Sequence, residues 1–389
     1  LAEAHRQWNL RHAAPLPRFK EYSNSRQPNR RLRIGYVSPD FRQHVVGRFI
    51  APLFAHHNHE AFEIFAYTSV SHPDSLTARL KSCTDTWKNV LVLSDEQLAE
   101  QIHADEIDVL VDLTMHMAGS RLLTFARKPA PVQITYLAYC STTGLDAMDF
   151  RFTDRQLDPT DDTDIYSELS VYLQRYWCYE APEPSPPVAA LPMISGGSAT
   201  FGCLNNFCKV SQIAFELWAR ILQTVHNSRL ILHAHPGAHR QEALDRFNAL
   251  GIAPDRIQFV DFAPMAEYLR LYQKIDIALD PFPYAGGTTT CDALWMGVPV
   301  ISLSGQTAVS RSGASILSQV GMSELVADSQ DQYVAIAAAL ANEPSRLQAL
   351  RLSLRDRMLN SPLMNGRAFA ADVETAYRRL WIKWCSEKS

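Results

Sequence analysis

The chain has 389 residues, 47% of them hydrophobic and 20% charged, with a formal net charge of −4. That length exceeds one ordinary core and predicts two domains of about 150–200 residues each, while the balance of residues excludes a disordered chain, a basic nucleic-acid face and a polybasic membrane patch. Seven cysteines, never in C-x-x-C spacing, argue against a disulfide framework or zinc ribbon and fit a cytoplasmic setting, and no apolar run approaches the roughly 20 residues of a membrane span.

The opening stretch "LAEAHRQWNLRHAAPL" has the small and charged residues of a helix, so residues 1–30 read as the end of a helical region with more helix before it. From residue 31 short apolar runs alternate with amphipathic ones: "RLRIGYVS", "VVGRFIAPLFAHHN", "FEIFAYTSV", "DSLTARLKSC", "WKNVLVL", "DEQLAEQIHADEI", "DVLVDLT", "LLTFARKPA" and "VQITYLAY". The strand candidates are continuously apolar, as parallel strands buried on both faces are. The regularity fades after about residue 150, and a run rich in Pro, Gly and Ser at 179–200 marks a boundary. The first domain is therefore placed at 31–180, a linker at 181–199 and a second domain at 200–365. There the alternation restarts with "ATFGCLNN", "SQIAFELWARILQTV", "SRLILHAH", "HRQEALDRFNALGI", "RIQFVDFA", "MAEYLRLYQKI", "DIALDPF", a "CDALWMG" helix and "VPVISLS". Residues 366–389 predict a last helix with Phe369, Val373, Tyr377, Leu380 and Trp384 on its apolar side, lying back on the first domain. Two α/β domains of this kind make a cleft, and open parallel sheets bind ligands at the C-terminal ends of their strands.

"DPFPYAGGTTTCDALWMG" puts Gly286 and Gly287 at a strand's end and at the mouth of a helix. Free amides, a partial positive charge and the absence of side chains there suit an anion; a plain turn capped by a hydroxyl is the alternative. Thr288, Thr289 and Thr290 add hydroxyls, and Asp292 follows about one turn in, suited to ribose hydroxyls or to the helix dipole. No Gly-Lys-Ser/Thr follows, so a phosphoryl-transferring P-loop is disfavoured. Lys209, between a strand and the helix starting near Ser211, reads as a counter-charge for a diphosphate leaving group or as a solvated surface lysine. His44 and His116 stand at strand ends in the first domain as candidate general bases, among thirteen histidines of which most must be structural or exposed. His56, His57 and His59 lack a coherent ligating face, so no metal is expected, and no G-x-S-x-G or protease-type cysteine supports a hydrolase.

In order along the chain, "LRIGYVSPDF", "DLTMHMAGSR", "KPAPVQITYLAY", "MDFRFTD", "FGCLNNFCKV", "DPFPYAGGTTTCDALWMGVPVISLSG" and "SRSGASIL" resemble the catalytic region of the O-GlcNAc transferase family, its bacterial members in particular, from about residue 30 to 384. The resemblance implies an α/β protein of GT-B type, with two Rossmann-like domains facing across a cleft and tetratricopeptide repeats ahead of them. It implies UDP-GlcNAc as donor, held mainly by the second domain, and an acceptor protein or peptide entering from the first, with no cofactor, metal, nucleic acid or membrane span.

Matched residue by residue, Lys209 corresponds to the lysine that stabilises the UDP leaving group, and Thr288 and Thr289 to threonines at the diphosphate. Asp292 matches an acid near the ribose, Asn206 a polar residue near the phosphate end of the donor, and Ala263 a backbone contact to uracil. His44 matches a first-domain histidine proposed as base or positioning group, and His116 follows the family's glycine-and-hydroxyl loop. Met265 and Tyr268 replace the lysine and histidine of the animal enzyme, Cys140 and Ser141 stand where relatives show Pro-Gly, and a short Pro-rich linker replaces the animal protein's intervening domain. The implied activity is inverting transfer of N-acetylglucosamine to serine or threonine. A UDP-hexose-dependent protein glucosyltransferase and a nucleotide-sugar binder with little turnover are the alternatives.

Overall fold

A computed structural model describes residues 2–160 and 165–387. The chain divides into two compact units: residues up to Glu180 together with those from Asn365 onward, and Ala181–Met364 between them.

The first unit is built on seven strands, β1 (Leu32–Ser38), β2 (Phe62–Thr68), β3 (Thr86–Asn89), β4 (Val109–Asp112), β5 (Val132–Thr135), β6 (Phe150–Thr153) and β7 (Leu169–Tyr172). They form one parallel sheet in the order β3-β2-β1-β4-β5-β6-β7, with Ile34 of β1 opposite Ile64 on one side and Val109 on the other. Strands enclosed on both faces keep the apolar run that the sequence shows: Ile34, Tyr36 and Val37 are all buried. Beyond residue 150, where the regularity of the sequence fades, β6 and β7 extend the sheet. These strands hide from a hydropathy reading because Arg151, only 2% exposed, sits inside β6. Its guanidinium is satisfied by Asp158 at 2.8 Å and Ser170 at 2.9 Å, as a buried charge must be.

The helix Val45–His56 buries Phe49, Ile50, Leu53 and Phe54, and the terminal helix Gly366–Ser386 packs against it. That terminal helix buries Phe369, Val373, Tyr377, Leu380 and Trp381, each worth roughly 1.5–3 kcal/mol. Trp381, four residues after Tyr377, takes the interior position expected of Trp384, which instead stacks on it at 4.8 Å. The Tyr377 hydroxyl meets that of Tyr36 in β1 at 3.0 Å, tying the chain's last helix to its first strand. At the other end the helix Ala2–Trp8 and a wider turn at Asn9–Ala13 precede irregular chain up to β1.

The second unit holds six parallel strands, β8 (Thr200–Cys203), β9 (Arg229–His233), β10 (Ile257–Val260), β11 (Ile277–Leu279), β12 (Val300–Leu303) and β13 (Val326–Ala327), in the order β10-β9-β8-β11-β12-β13. The Pro-rich run before β8 is anchored here: Asp276 accepts from the amides of Met193 at 3.0 Å and Thr200 at 2.8 Å, and Arg351 donates to the Ala189 carbonyl at 2.8 Å. In each sheet the direction of strand progression reverses once, between β1 and β4 and between β8 and β11. Loops part at such a reversal and leave room for a ligand.

Candidate active site

In the second unit the loop after β11 runs from the strand's end into the helix Thr288–Trp295. The helix opens directly after the two glycines, so the three threonines form its first turn. Gly287 is the N-cap, and no side chain caps the helix, which removes the hydroxyl-cap reading. The hydroxyls have separate tasks. Thr290 turns inward to Asp280 Oδ1 at 3.3 Å, and Thr289 donates to Asn205 Oδ1 at 2.7 Å. Thr288 is 9% exposed, and among the described residues its hydroxyl oxygen meets no partner. A buried polar group without a partner is costly, which sets Thr288 apart from the other two threonines.

Asp280, buried just past β11, organises this loop. Besides Thr290 it accepts from the Gly286 amide at 3.0 Å and the Ser302 hydroxyl at 2.9 Å, while Tyr333 donates to its backbone carbonyl at 2.9 Å. Burial pushes its carboxyl pKa up, against the opposing pull of these donors and of the Lys209 charge. Gly286 must be glycine: a Cβ there would lie 2.6 Å from Asp280 Oδ1 and 2.8 Å from Thr289 Oγ1, and closer still to Thr290 Oγ1. Its carbonyl accepts from Ser312 at 2.7 Å, so both backbone groups of the residue are fixed.

Lys209 closes a short turn, Phe207–Lys209, that follows β8. Its ammonium donates to the Ala285 carbonyl at 3.1 Å and lies 4.1 Å from the centre of the Tyr284 ring. The strand reversal thus brings together Lys209, Gly286, Gly287, Thr288 and Thr289. The structure treats three expected residues differently. Asn206 is exposed and its side chain accepts from the Cys208 amide at 3.1 Å, while its neighbour Asn205 is buried and holds Thr289. Asp292 is 1% exposed, on the buried side of the helix Thr288–Trp295. Thr290, also 1% exposed, supports the loop from within. Ala263 lies in the loop between β10 and the helix Met265–Leu271, beside the exposed Phe262 and Met265. From that helix the Tyr268 hydroxyl meets that of Tyr272 at 2.8 Å, and Tyr272 donates to the Thr289 carbonyl at 3.1 Å.

In the first unit His44 is the N-cap of the helix Val45–His56. Its Nδ1 lies 3.3 Å from the Val46 amide and 3.4 Å from Asp40 Oδ2, two partners with opposite demands. Accepting from Val46 leaves the proton on Nε2, so the ring can only donate outward. Protonation of Nδ1 toward Asp40 frees Nε2 as a base. Burial lowers the His44 pKa, with Asp40 opposing and Arg42 adding to the shift, so the ring is neutral near pH 7.

His116 lies in the loop after β4. Its Nε2 meets the Thr143 carbonyl at 2.6 Å and must carry a proton to do so, while its ring stacks on His5 at 4.0 Å and meets the Trp8 edge. This histidine joins the loop after β4 to the N-terminal helix, and the tautomer with the proton on Nε2 leaves the lone pair on Nδ1.

The sequence reading missed Asp112, Asp280 and Asn205. Asp112 ends β4 and accepts from the amides of Thr114 at 3.1 Å and Met115 at 3.0 Å and from Thr135 at 3.0 Å. Burial raises its pKa to about 6, the charge of Glu168 adding and these donors opposing. Met115 takes a left-handed backbone, φ 48°, to make this turn. The available signal was an acid closing or following an apolar strand, in "VLVDLT" and "IALDPF".

Two parallel sheets of this order, with loops gathered at one reversal in each, define the GT-B class of glycosyltransferase fold. The profile of glycosyl transferase family 41 matches residues 6–179 and 194–373, and the chain belongs to that family. It is 38% identical over 397 residues to an Arabidopsis thaliana protein named probable UDP-N-acetylglucosamine–peptide N-acetylglucosaminyltransferase SPINDLY, covering 99% of this chain and 43% of that protein. A second Arabidopsis protein of the same enzymatic name, SEC, is 31% identical over 370 residues, covering 92% of this chain and 38% of its own length. The chain thus spans less than half the length of the curated relatives it matches. A mutant of Thermobaculum terrenum O-GlcNAc transferase superposes with a TM-score of 0.94 at 36% identity, over 99% of this chain and 74% of that one. Anabaena HepE in complex with UDP and glucose shares the fold alone, with a TM-score of 0.58 at 11% identity over 89% of this chain and all of its own.

Proposed function

We propose that this chain transfers N-acetylglucosamine from UDP-GlcNAc to serine or threonine hydroxyls of proteins, with inversion and without a divalent metal. The observation that carries the reading is the Lys209 ammonium beside an uncapped helix mouth whose Thr288 hydroxyl is unpartnered. A departing UDP gains negative charge as the bond from the sugar C1 to the phosphate oxygen breaks, and fixed amides plus a cation offset it where it forms. The acceptor oxygen forms the new bond to C1 from the opposite face and gives up its proton. His44, neutral and oriented by Asp40, is the proposed acceptor of that proton. The names of the Arabidopsis relatives and of the Thermobaculum enzyme support the donor and the peptide acceptor.

We place the activity in the cytoplasm, a reading supported by an odd number of cysteines, seven, with none in C-x-x-C spacing. No helix among the described residues is long and apolar enough to cross a membrane. Calorimetric titration of UDP tests the donor site: the wild type binds, and a wild type that does not bind ends the reading. Mass spectrometry of acceptor peptides incubated with UDP-GlcNAc and EDTA tests the reaction, with modified serines or threonines expected.

One observation favours a different donor. Met265 presents an exposed thioether where the resemblance expects a lysine, and the Tyr268 hydroxyl is engaged by Tyr272. Competition among nucleotide sugars differing in hexose and in base decides between them: UDP-GlcNAc is expected to compete best, and preference for another donor overturns the assignment.

A further inference from the structure

We propose that Tyr284 is a positioning residue for Lys209, holding its ammonium at the mouth of the helix Thr288–Trp295 through the face of its ring. The inference rests on the donor-site reading above and deepens it.

A lysine side chain is a flexible stem carrying a point charge, and fixing one end of it is entropically costly. At Lys209 the stem is fixed from two directions. The Ala285 carbonyl accepts at 3.1 Å, and the Tyr284 ring centre lies 4.1 Å from Nζ, well within cation–π range. Both partners come from consecutive residues immediately before Gly286, so the cation and the amides of the helix mouth are held by one short piece of chain.

That piece is itself rigid. Ala285 is buried, its amide donates to the Val309 carbonyl at 3.3 Å, and Gly286 is fixed by Asp280 and Ser312. The Lys209 backbone is equally tied, its amide donating to the Asn206 carbonyl at 3.0 Å. The stem of Lys209 is therefore the one adjustable part between two fixed anchors, and the ring is what narrows its choice.

Tyr284 is 39% exposed, so the ring is not needed to fill the core of the unit. A large aromatic left half in water beside a cation is placed for the cation. An ammonium has three N–H groups. One donates to the Ala285 carbonyl, and the ring attracts the charge as a whole rather than a single N–H. Held this way, the charge need not reorganise when the diphosphate gains its own during bond breaking, which is the condition for stabilising the transition state more than the ground state.

The test compares kcat, the donor KM and UDP affinity in the wild type, Tyr284→Leu, Tyr284→Phe, Tyr284→Trp, Lys209→Ala and the Lys209→Ala/Tyr284→Leu pair. Tyr284→Leu is expected to lower kcat by about 2- to 30-fold while the donor KM moves less. Tyr284→Phe and Tyr284→Trp, which keep a ring face, recover most of that loss. In the Lys209→Ala background the leucine substitution costs nothing further, because the group it positions is gone.

A leucine variant equal to the wild type, a phenylalanine variant as impaired as the leucine one, or losses that multiply in the pair would each overturn the proposal. A wild type that does not bind UDP overturns the donor site first, and that result is separate from any Tyr284 effect. Equal thermal midpoints of the Tyr284 variants confirm that folding is not what changes.

Discussion

The two units share a topology and differ in how firmly each holds the chemistry at its strand reversal. In the second, a buried carboxylate, Asp280, gathers Gly286, Thr290 and Ser302, and the Lys209 ammonium is bonded to the same loop. In the first, His44 caps a helix with one nitrogen shared between the Val46 amide and the Asp40 carboxylate, neither closer than 3.3 Å. One side is preorganised and the other has two settings. For the proposed transfer that division is sensible, since the leaving group would be the same in every turnover while a protein acceptor would vary.

The contrast is most directly broken at Asp280. Asp280→Ala leaves the Gly286 amide and two hydroxyls without their acceptor in a dry interior, at a cost of about 3 kcal/mol or more in urea unfolding. UDP binding should vanish with it in calorimetry; retained binding would show that the loop holds its form without its organiser.

On the other side, His44→Ala should lower kcat by about 100-fold, the usual worth of a positioned general base, with UDP affinity unchanged. Because the folded pKa of His44 is lowered, its neutral form persists below the ordinary value of about 6.5, so the acid limb of the kcat/KM profile should fall below that pH and disappear in the variant. His116→Ala should leave that limb in place.

A smaller effect is expected at Gly286. Gly286→Ala forces a methyl against Asp280 and Thr289, costing about 1–3 kcal/mol in stability and roughly tenfold in UDP affinity. The same substitution in a loop free to shift would cost neither.

Confined to stability, and sharpest in sign, is the effect at Asp112. Its folded pKa of about 6 stands above the unfolded value of about 3.9, so the folded state holds the proton more tightly. The resulting stabilisation is fully present below about pH 4 and is lost as pH rises through 6. Relative to Asp112→Asn, the wild type should therefore lose on the order of 2–3 kcal/mol between pH 4 and 7 in urea titrations, with little change above that.

Much of this was legible beforehand because it depends on local pattern. Apolar runs at regular spacing gave the parallel strands, and glycines at a strand's end pointed to the helix mouth. What escaped depends on distant partners. The strand around Arg151 cannot be read as buried until Asp158 and Ser170 are seen to satisfy it. Which threonine stays available depends on Asn205 and Asp280, which lie far from the threonines or across a turn from them. That Asn205 faces inward at the end of β8 and Asn206 outward is settled by the packing, not by the letters. The surroundings of His116, the His5 ring and the Thr143 carbonyl, likewise come from distant parts of the chain.

The uncapped start of the helix Thr288–Trp295 makes ligand binding and local folding a single equilibrium. The chain supplies no cap of its own there, so an anion that binds also completes the helix. Amide protons of Gly287, Thr288 and Thr289 should exchange more slowly with UDP present, and the whole unit should melt higher, by about 2.7 kcal/mol of added stability at a hundredfold excess over Kd. The nucleotide would then serve as the helix's missing first residue as well as its cargo.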